Sequence, residues 1–210
     1  KISQRTLGWW MEREWPVEDA VLRESAAHSR IVRMGFPLMY TTNYDHLLER
    51  AFELHGQRYN KMVTAKDVAQ ANPDLPAIVK FHGDIEDERS LIVSESDYFR
   101  RAAFEDPLDI MLSADALGRT LLFVGYSLSD INLRLLLYRL RGIWLESGHE
   151  SSRPRSYVFL PGADAGQERI LMSWGITPPV GRNRADESPP LTGFLERLAA
   201  AVANERSRAS

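Results

Sequence analysis

Three polar clusters hold the residue types from which a sugar and phosphate site is built. They are Thr41-Thr42-Asn43-Tyr44-Asp45, His82-Gly83-Asp84, and Gly125-Tyr126-Ser127 running on to Asp130 and Asn132. An asparagine amide both donates and accepts, a carboxylate accepts, and an imidazole can take a proton from a hydroxyl near neutral pH. Backbone amides at helix starts serve phosphate oxygens. Together these groups match a carboxamide, ribose hydroxyls and a pyrophosphate, which is what a dinucleotide presents. Each cluster also has a plainer reading. Asn43 and Asp45 would cap a following helix, His82 would bond a loop carbonyl, and Gly125 with Ser127 would make a tight turn and its cap. The chemical reading gains weight because each cluster follows an apolar run, and in open parallel sheets ligands sit beyond the carboxyl ends of the strands.

The elements that must position these clusters can be read from hydrophobic spacing. Residues 1–33 have a helical pattern (Leu7, Trp10, Met11, Trp15, with Pro16 as a break) and read as covering helices. Phe36 to Thr42 reads as a strand, followed at once by an amphipathic helix from Asp45 to His55 closed by Gly56. After a connection holding Pro73 and Pro76, Ala77 to Asp84 opens as a buried strand and becomes a loop at Gly83. Leu91 to Ser94 precedes a helix from about Ser96, and Leu108 to Leu117 reads as a helix stopped by Gly118. Thr120 to Ser127 has the continuous apolar character of a central strand buried on both faces. A helix from Ser129 then carries Leu133, Leu136, Leu137 and Leu140 on one face. Ser156 to Pro161 reads as a strand, Asp164 to Trp174 as a helix and Gly175 to Val180 as a short edge element. The alternation predicts an α/β fold, Rossmann-like, with a mainly parallel sheet and helices on both faces. It is organised as one domain: helical cover at 1–33, sheet and site loops at 34–180, a linker at 181–190 and a last helix at 191–204.

Composition narrows the chemistry further. The chain has 210 residues, 44% hydrophobic and 26% charged, with 29 acidic against 26 basic residues, which argues against direct nucleic-acid binding by phosphate neutralisation. It has no cysteine, so disulfides, thiolate nucleophiles and cysteine-ligated zinc are excluded. His28, His46, His55, His82 and His149 show no metal-site spacing, and no metal is expected. A phosphate-binding Gly-Lys-Ser/Thr loop is absent, and so is the Gly-x-Ser-x-Gly elbow, because Ser129 follows Leu128. No apolar run approaches the roughly 20 residues of a membrane-spanning helix, and the first residues do not resemble a signal sequence, so a cytoplasmic location is expected. Trp9, Trp10, Trp15, Trp144 and Trp174 read as packing residues, and the apolar face from Leu133 to Trp144 either joins the core or meets a partner subunit, which leaves a homo-oligomer open.

The three clusters jointly resemble the sirtuin family. TTNYDHLLERAFELHG is similar to the sirtuin step of Asn, hydrophobic residue and Asp before a helix, and KFHGD is similar to the His-Gly step. LLFVGYSLSDINL resembles the later ribose-binding loop in its prokaryotic sirtuin-like form. The resemblance implies that Asn43 positions the nicotinamide ribose and the attacking water, Asp45 binds the carboxamide, and His82 is the general base. Thr41, Thr42, Tyr44, Gly83, Asp84, Gly125, Tyr126, Ser127, Asp130 and Asn132 would line the rest of an NAD site, with Ser96, Asp97 and Tyr98 near it. NAD would be the substrate, with no metal. The glycine-rich first strand and loop of the family do not precede Phe36, and the chain starts at Lys1 without an initiator methionine, so that piece is expected upstream. Lack of a four-cysteine zinc module moves the expectation from protein deacylation toward NAD hydrolysis. The resemblance implies an antiphage defence effector with a further domain or sensor protein as partner. The alternatives are an NAD-dependent deacylase and a non-catalytic NAD or ADP-ribose sensing or assembly module.

Overall fold

The structure, a computed structural model, describes residues 13–14, 16–125, 130–159, 165–177 and 191–209. They fall into two compact units, Lys1–Ser94 with Thr192–Ser210, and Glu95–Leu191.

In the first unit, helices α1 (Asp19–Glu24) and α2 (Ala26–Met34) precede strand β1 (Leu38–Thr41). Helix α3 (Leu47–Leu54), β2 (Asn60–Met62), α4 (Ala65–Gln70) and β3 (Ala77–Lys80) follow. The strands run parallel in the order β1-β3-β2, with Leu38 opposite Ala77 and Thr41 opposite Lys80. Parallel neighbours need crossover connections, which the helices supply. Central β3 is buried at all four residues. Leu22, Val32, Ala51, Phe52 and Ile78 form the core beside it, as expected of amphipathic helices laid on a strand with no solvent face. Gly56, at φ +65°, ends α3 where the sequence places its stop: Gly56 N–H donates to the Glu53 carbonyl at 2.9 Å and Gln57 N–H to Phe52 at 2.9 Å. A capping box between Thr64 and Asp67 starts α4.

In the second unit, helices α5 (Glu95–Arg101) and α6 (Pro107–Gly118) lead to β4 (Leu122–Val124), α7 (Ile131–Glu146), β5 (Ser156–Phe159), α8 (Ala165–Ser173) and β6 (Ile176–Thr177). The strands are again parallel, in the order β4-β5-β6. Helix α7 buries the stripe Leu133, Leu136, Leu137 and Leu140. Arg101 and Asp109, both buried, tie α5 to α6 through two parallel bonds, with Nε to Oδ2 at 3.0 Å and Nη2 on Oδ1. A last helix, α9 (Leu191–Ala209), returns to the first unit, where Arg30 of α2 pairs with Glu196.

Parallel strands alternating with helices are the α/β Rossmann-like pattern the sequence predicts. One strand departs from its reading. The run from Thr120 to Ser127 gives only a three-residue, half-buried strand at the edge of its sheet among the described residues, whereas the fully buried strand is β3, which carries a lysine. An apolar run states what a strand can bury, while burial depends on neighbours that local sequence does not name. The expected element at Gly175 to Val180 is edge strand β6 at Ile176–Thr177. Residues 178–190, and the first predicted helix except Arg13 and Glu14, lie outside the described residues. Among the described residues no helix is long and apolar enough to cross a membrane.

Candidate functional site

Strands β1 and β3 are neighbours in parallel register, so the chain leaves both at the same sheet edge. The pairing runs one step past the strands, where Phe81 N–H donates to the Thr41 carbonyl at 2.8 Å. The segments Thr42–Asp45 and His82–Asp84 are therefore adjacent loops. They are stitched together by Ile85 N–H on the Tyr44 carbonyl (3.2 Å), Tyr44 Oη on the Ile92 carbonyl (2.6 Å) and Ile92 N–H on the His82 carbonyl (2.9 Å).

Within this pair of loops the predicted residues have unequal positions. Asn43 is exposed, and its side chain makes no bond among the described residues; only its backbone N–H is engaged, on Thr41 Oγ1 at 3.1 Å. Asp45 Oδ1 accepts the Leu47 N–H at 3.0 Å and so satisfies the free start of α3. Thr42 and Tyr44 are half-buried. His82 is 5% exposed, with its ring 5.6 Å from that of Phe81 at an interplanar angle of 32°. Gly83 takes φ +95°, and a Cβ there would lie 2.3 Å from the Ser90 carbonyl oxygen. A glycine is thus required beside the histidine, because backbone packs against it directly.

Asp84 is 1% exposed. Its Oδ1 meets His46 Nε2 at 2.8 Å and accepts the Glu86 N–H at 2.9 Å, and its Oδ2 lies 3.1 Å from Lys61 Nζ. Burial pushes its carboxyl up, but the bonds from His46, Glu86 N–H and Lys61 outweigh burial and hold it well below the usual carboxylate range. The bond to Asp84 in turn raises the His46 imidazole against the opposing effect of its own burial.

Beneath the loops, Lys80 is wholly buried, 3.0 Å from Glu49 Oε1, and donates to the Asp45 carbonyl. Sequence reading missed Lys80, Glu49, His46 and Lys61. A signal was present: Lys80 interrupts the apolar run AIVKF, and Glu49 falls on the buried face of α3. His46, Glu49 and Asp84 bring ligand-type atoms within 4.8 Å of one another, a cluster that histidine spacing in the sequence does not reveal. The Lys61 and Lys80 ammonium groups lie 3.1 Å from Asp84 Oδ2 and 3.0 Å from Glu49 Oε1, so these five side chains form an ion-pair network.

The remaining predicted residues belong to the second unit. Gly125 is exposed after β4, while Tyr126 and Ser127 lie outside the described residues. Asp130 caps α7, its Oδ1 accepting the N–H groups of Asn132 at 2.8 Å and Leu133 at 3.0 Å. Asn132 is 6% exposed, and its Nδ2 donates to the Tyr98 carbonyl at 2.9 Å. Burial, and after it the Asp130 carboxylate, raises the Tyr98 phenol. The cap of α7 is thus Asp130, where the plainer sequence reading puts it at Ser127.

Parallel strands whose carboxyl-end loops carry an open amide and a His-Gly step define a Rossmann-like α/β protein with the polar set at the edge where such folds bind ligands. The chain belongs to the SIR2-like domain family, whose sequence profile matches residues 37–178. It is 33% identical over 134 residues to the NAD(+) hydrolase ThsA of Bacillus cereus (strain MSX-D12), covering 63% of this chain and 27% of that protein. Against the NAD(+) hydrolase ThsA of Acinetobacter baumannii (strain 532279) the figures are 32% over 126 residues, 59% and 26%. Against the Defense-associated sirtuin 2 of Bacillus subtilis they are 27% over 126 residues, 59% and 12%. The chain thus spans well under two thirds of the length of these relatives.

Proposed function

We propose that this chain is the NAD-binding part of an NAD hydrolase that releases nicotinamide and ADP-ribose and acts as an effector in antiphage defence. The observation that carries the reading is Asn43: an exposed, unbonded amide beside a His-Gly step, on adjacent loops at the carboxyl edge of a parallel sheet. The names of the relatives support the same reaction. The family match spans both compact units, and we take them as parts of one domain. The length of the relatives supports a further domain or sensor as partner, and we place the action in the cytoplasm.

Nicotinamide in NAD is already a cationic leaving group, so its departure needs no strong acid. The protein must hold the ribose and stabilise the oxocarbenium-like centre left at the anomeric carbon. Asn43 orients the ribose and the attacking water, Asp45 meets the carboxamide, and His82 is the base toward a ribose hydroxyl. Thr41, Thr42, Tyr44 and Gly83 shape the loops around these groups, and Asp84, spent on His46 and Lys61, supports them. Gly125, Tyr126 and Ser127 contact the adenosine half, with Asp130 and Asn132 fixing the start of the helix that follows. No metal takes part.

The test is nicotinamide release by the full-length protein incubated with NAD. Asn43→Ala and His82→Ala should each lower it by roughly a hundredfold or more; unchanged turnover in both would remove these roles. NAD binding without consumption, measured by calorimetry, would make the chain a sensing module. Release only in the presence of an acyl-lysine peptide would make it a deacylase.

A further inference from the structure

A lysine has no ordinary place in the central strand of a parallel sheet. Lys80 nevertheless has no exposed surface, and its ammonium group reaches two points of the neighbouring junction: the Asp45 carbonyl just before α3, and Glu49 Oε1 at 3.0 Å in the first turn of that helix. One buried cation thus spans the turn from residue 45 to residue 49. We infer that Lys80, with Glu49, is a positioning residue that fixes the Asn43–Asp45 loop against the His82 loop, the proposal resting on the reading of Asn43 and Asp45 as ligand contacts.

Three observations carry it. The first is register: Thr41 lies opposite Lys80, so the ammonium emerges beneath the start of the Asn43 loop. The second is that a buried ion pair is a poor source of stability, since apolar side chains of like volume serve a core as well. What it adds is direction, because an ammonium group bonds only where acceptors lie. The third is a second clamp on the same loop. His46, next to Asp45, bonds Asp84 at 2.8 Å, and Lys61 holds Asp84 and Glu86 from β2 at 3.1 and 2.9 Å. Asp45 is therefore fixed through its carbonyl from within and through its neighbour from the His82 loop. Such preorganisation matters in a reaction whose rate comes from orientation.

The decisive variant is Lys80→Met/Glu49→Leu in the full-length protein, which removes the cation and leaves no unpaired buried charge. A purely structural pair predicts parental kinetics once packing is restored. The positioning role predicts a thermal midpoint within about 3 °C of the parent, with kcat for nicotinamide release lowered at least about tenfold and KM moved less. It also predicts amide hydrogen exchange at residues 43–47 faster by about tenfold or more, with β3 unchanged. Parental kcat together with parental exchange at 43–47 would overturn the proposal. Should the double variant fail to fold, Lys80→Arg serves: it keeps the charge beside Glu49 but moves the donor away from the Asp45 carbonyl, and parental kcat there would overturn the proposal equally. If the unaltered protein releases no nicotinamide, the hydrolase reading falls, and exchange at 43–47 alone decides whether Lys80 holds the loop.

Discussion

The junctions β1–α3 and β4–α7 use the same two residue types in opposite order, and the order decides what each is free to do. Asn43 precedes its capping carboxylate, Asp45, by two residues; Asn132 follows its own, Asp130, by two. An asparagine ahead of the cap is still outside the helix, and Asn43 is exposed with an unbonded amide. An asparagine after the cap is already in the first turn, and Asn132 is buried with its amide on the Tyr98 carbonyl. The same chemistry that leaves one amide exposed turns the other into a tie between helices. The first junction should therefore answer to mutation mainly in rate, and the second mainly in stability.

The largest effect should come from the support of the second junction. Arg101 ends the helix that holds Tyr98, and its guanidinium is bonded twice to the buried Asp109. Arg101→Met takes both guanidinium bonds from that buried carboxylate, at a cost of about 3–5 kcal/mol. Urea denaturation followed by circular dichroism should show it as a large fall in midpoint; a midpoint near the parental value would mean that water reaches Asp109 and the tie is not what orders this unit.

Next in size is the pair of asparagines themselves. Asn43→Ala should lower nicotinamide release by about a hundredfold, equivalent to about 2.7 kcal/mol of barrier, with an unchanged urea midpoint. Asn132→Ala should cost about 1 kcal/mol of stability, because the tie from α7 to the half-buried Tyr98 carbonyl is lost while the Ala102 N–H bond to that carbonyl remains. The comparison breaks if the effects are exchanged, with Asn43→Ala destabilising the fold and Asn132→Ala leaving it intact. Capping gives a further test at the same place: Asp130→Ala frees two N–H groups at the start of α7 and should cost about 1 kcal/mol, measured in the same denaturation series.

The contrast between the junctions also marks what could be read from the sequence. The positions of β1, α3 and the Leu133–Leu140 stripe follow from hydrophobic period and a glycine stop, which are local signals, and the structure has them within a few residues of the predicted bounds. A capped helix start after β4 was likewise legible, although the plainer reading puts the cap at Ser127 and the structure has it at Asp130, a short acid that satisfies free amides wherever it precedes an apolar helix. The network beneath the first junction was not. Lys80 meets Asp45 across 35 residues and His46 meets Asp84 across 38, so neither pairing has a period, and each depends on β1 and β3 being neighbours. The local signs were Lys80 inside an apolar strand run and Glu49 on the buried face of α3, since a charged residue must find a partner where it is buried. The burial of β4 was misjudged for a related reason: strand position within a sheet is a property of the whole topology.

The smallest expected effect concerns pH, and it separates the two junctions again, because only the first is clamped by a group that titrates near neutrality. Asp84 is held below its ordinary value of 3.8, so the stability it contributes is present above that value and is lost as pH falls toward the folded one. His46 is raised above its ordinary value of 6.5, so its contribution is complete below 6.5 and is lost as pH rises through the folded value. The clamp between the loops is therefore strongest between these limits, and it weakens on the alkaline side as the imidazole loses its charge while its neutral bond to Asp84 remains. His46→Gln keeps a donor of similar reach and removes the titration. The gap in urea midpoint between the parent and His46→Gln should be wider at pH 5.5 than at pH 8.5, while the gap between the parent and Asp130→Ala should not change between the two. A His46→Gln gap that stays constant with pH would show that the Asp84 bond does not favour the protonated ring.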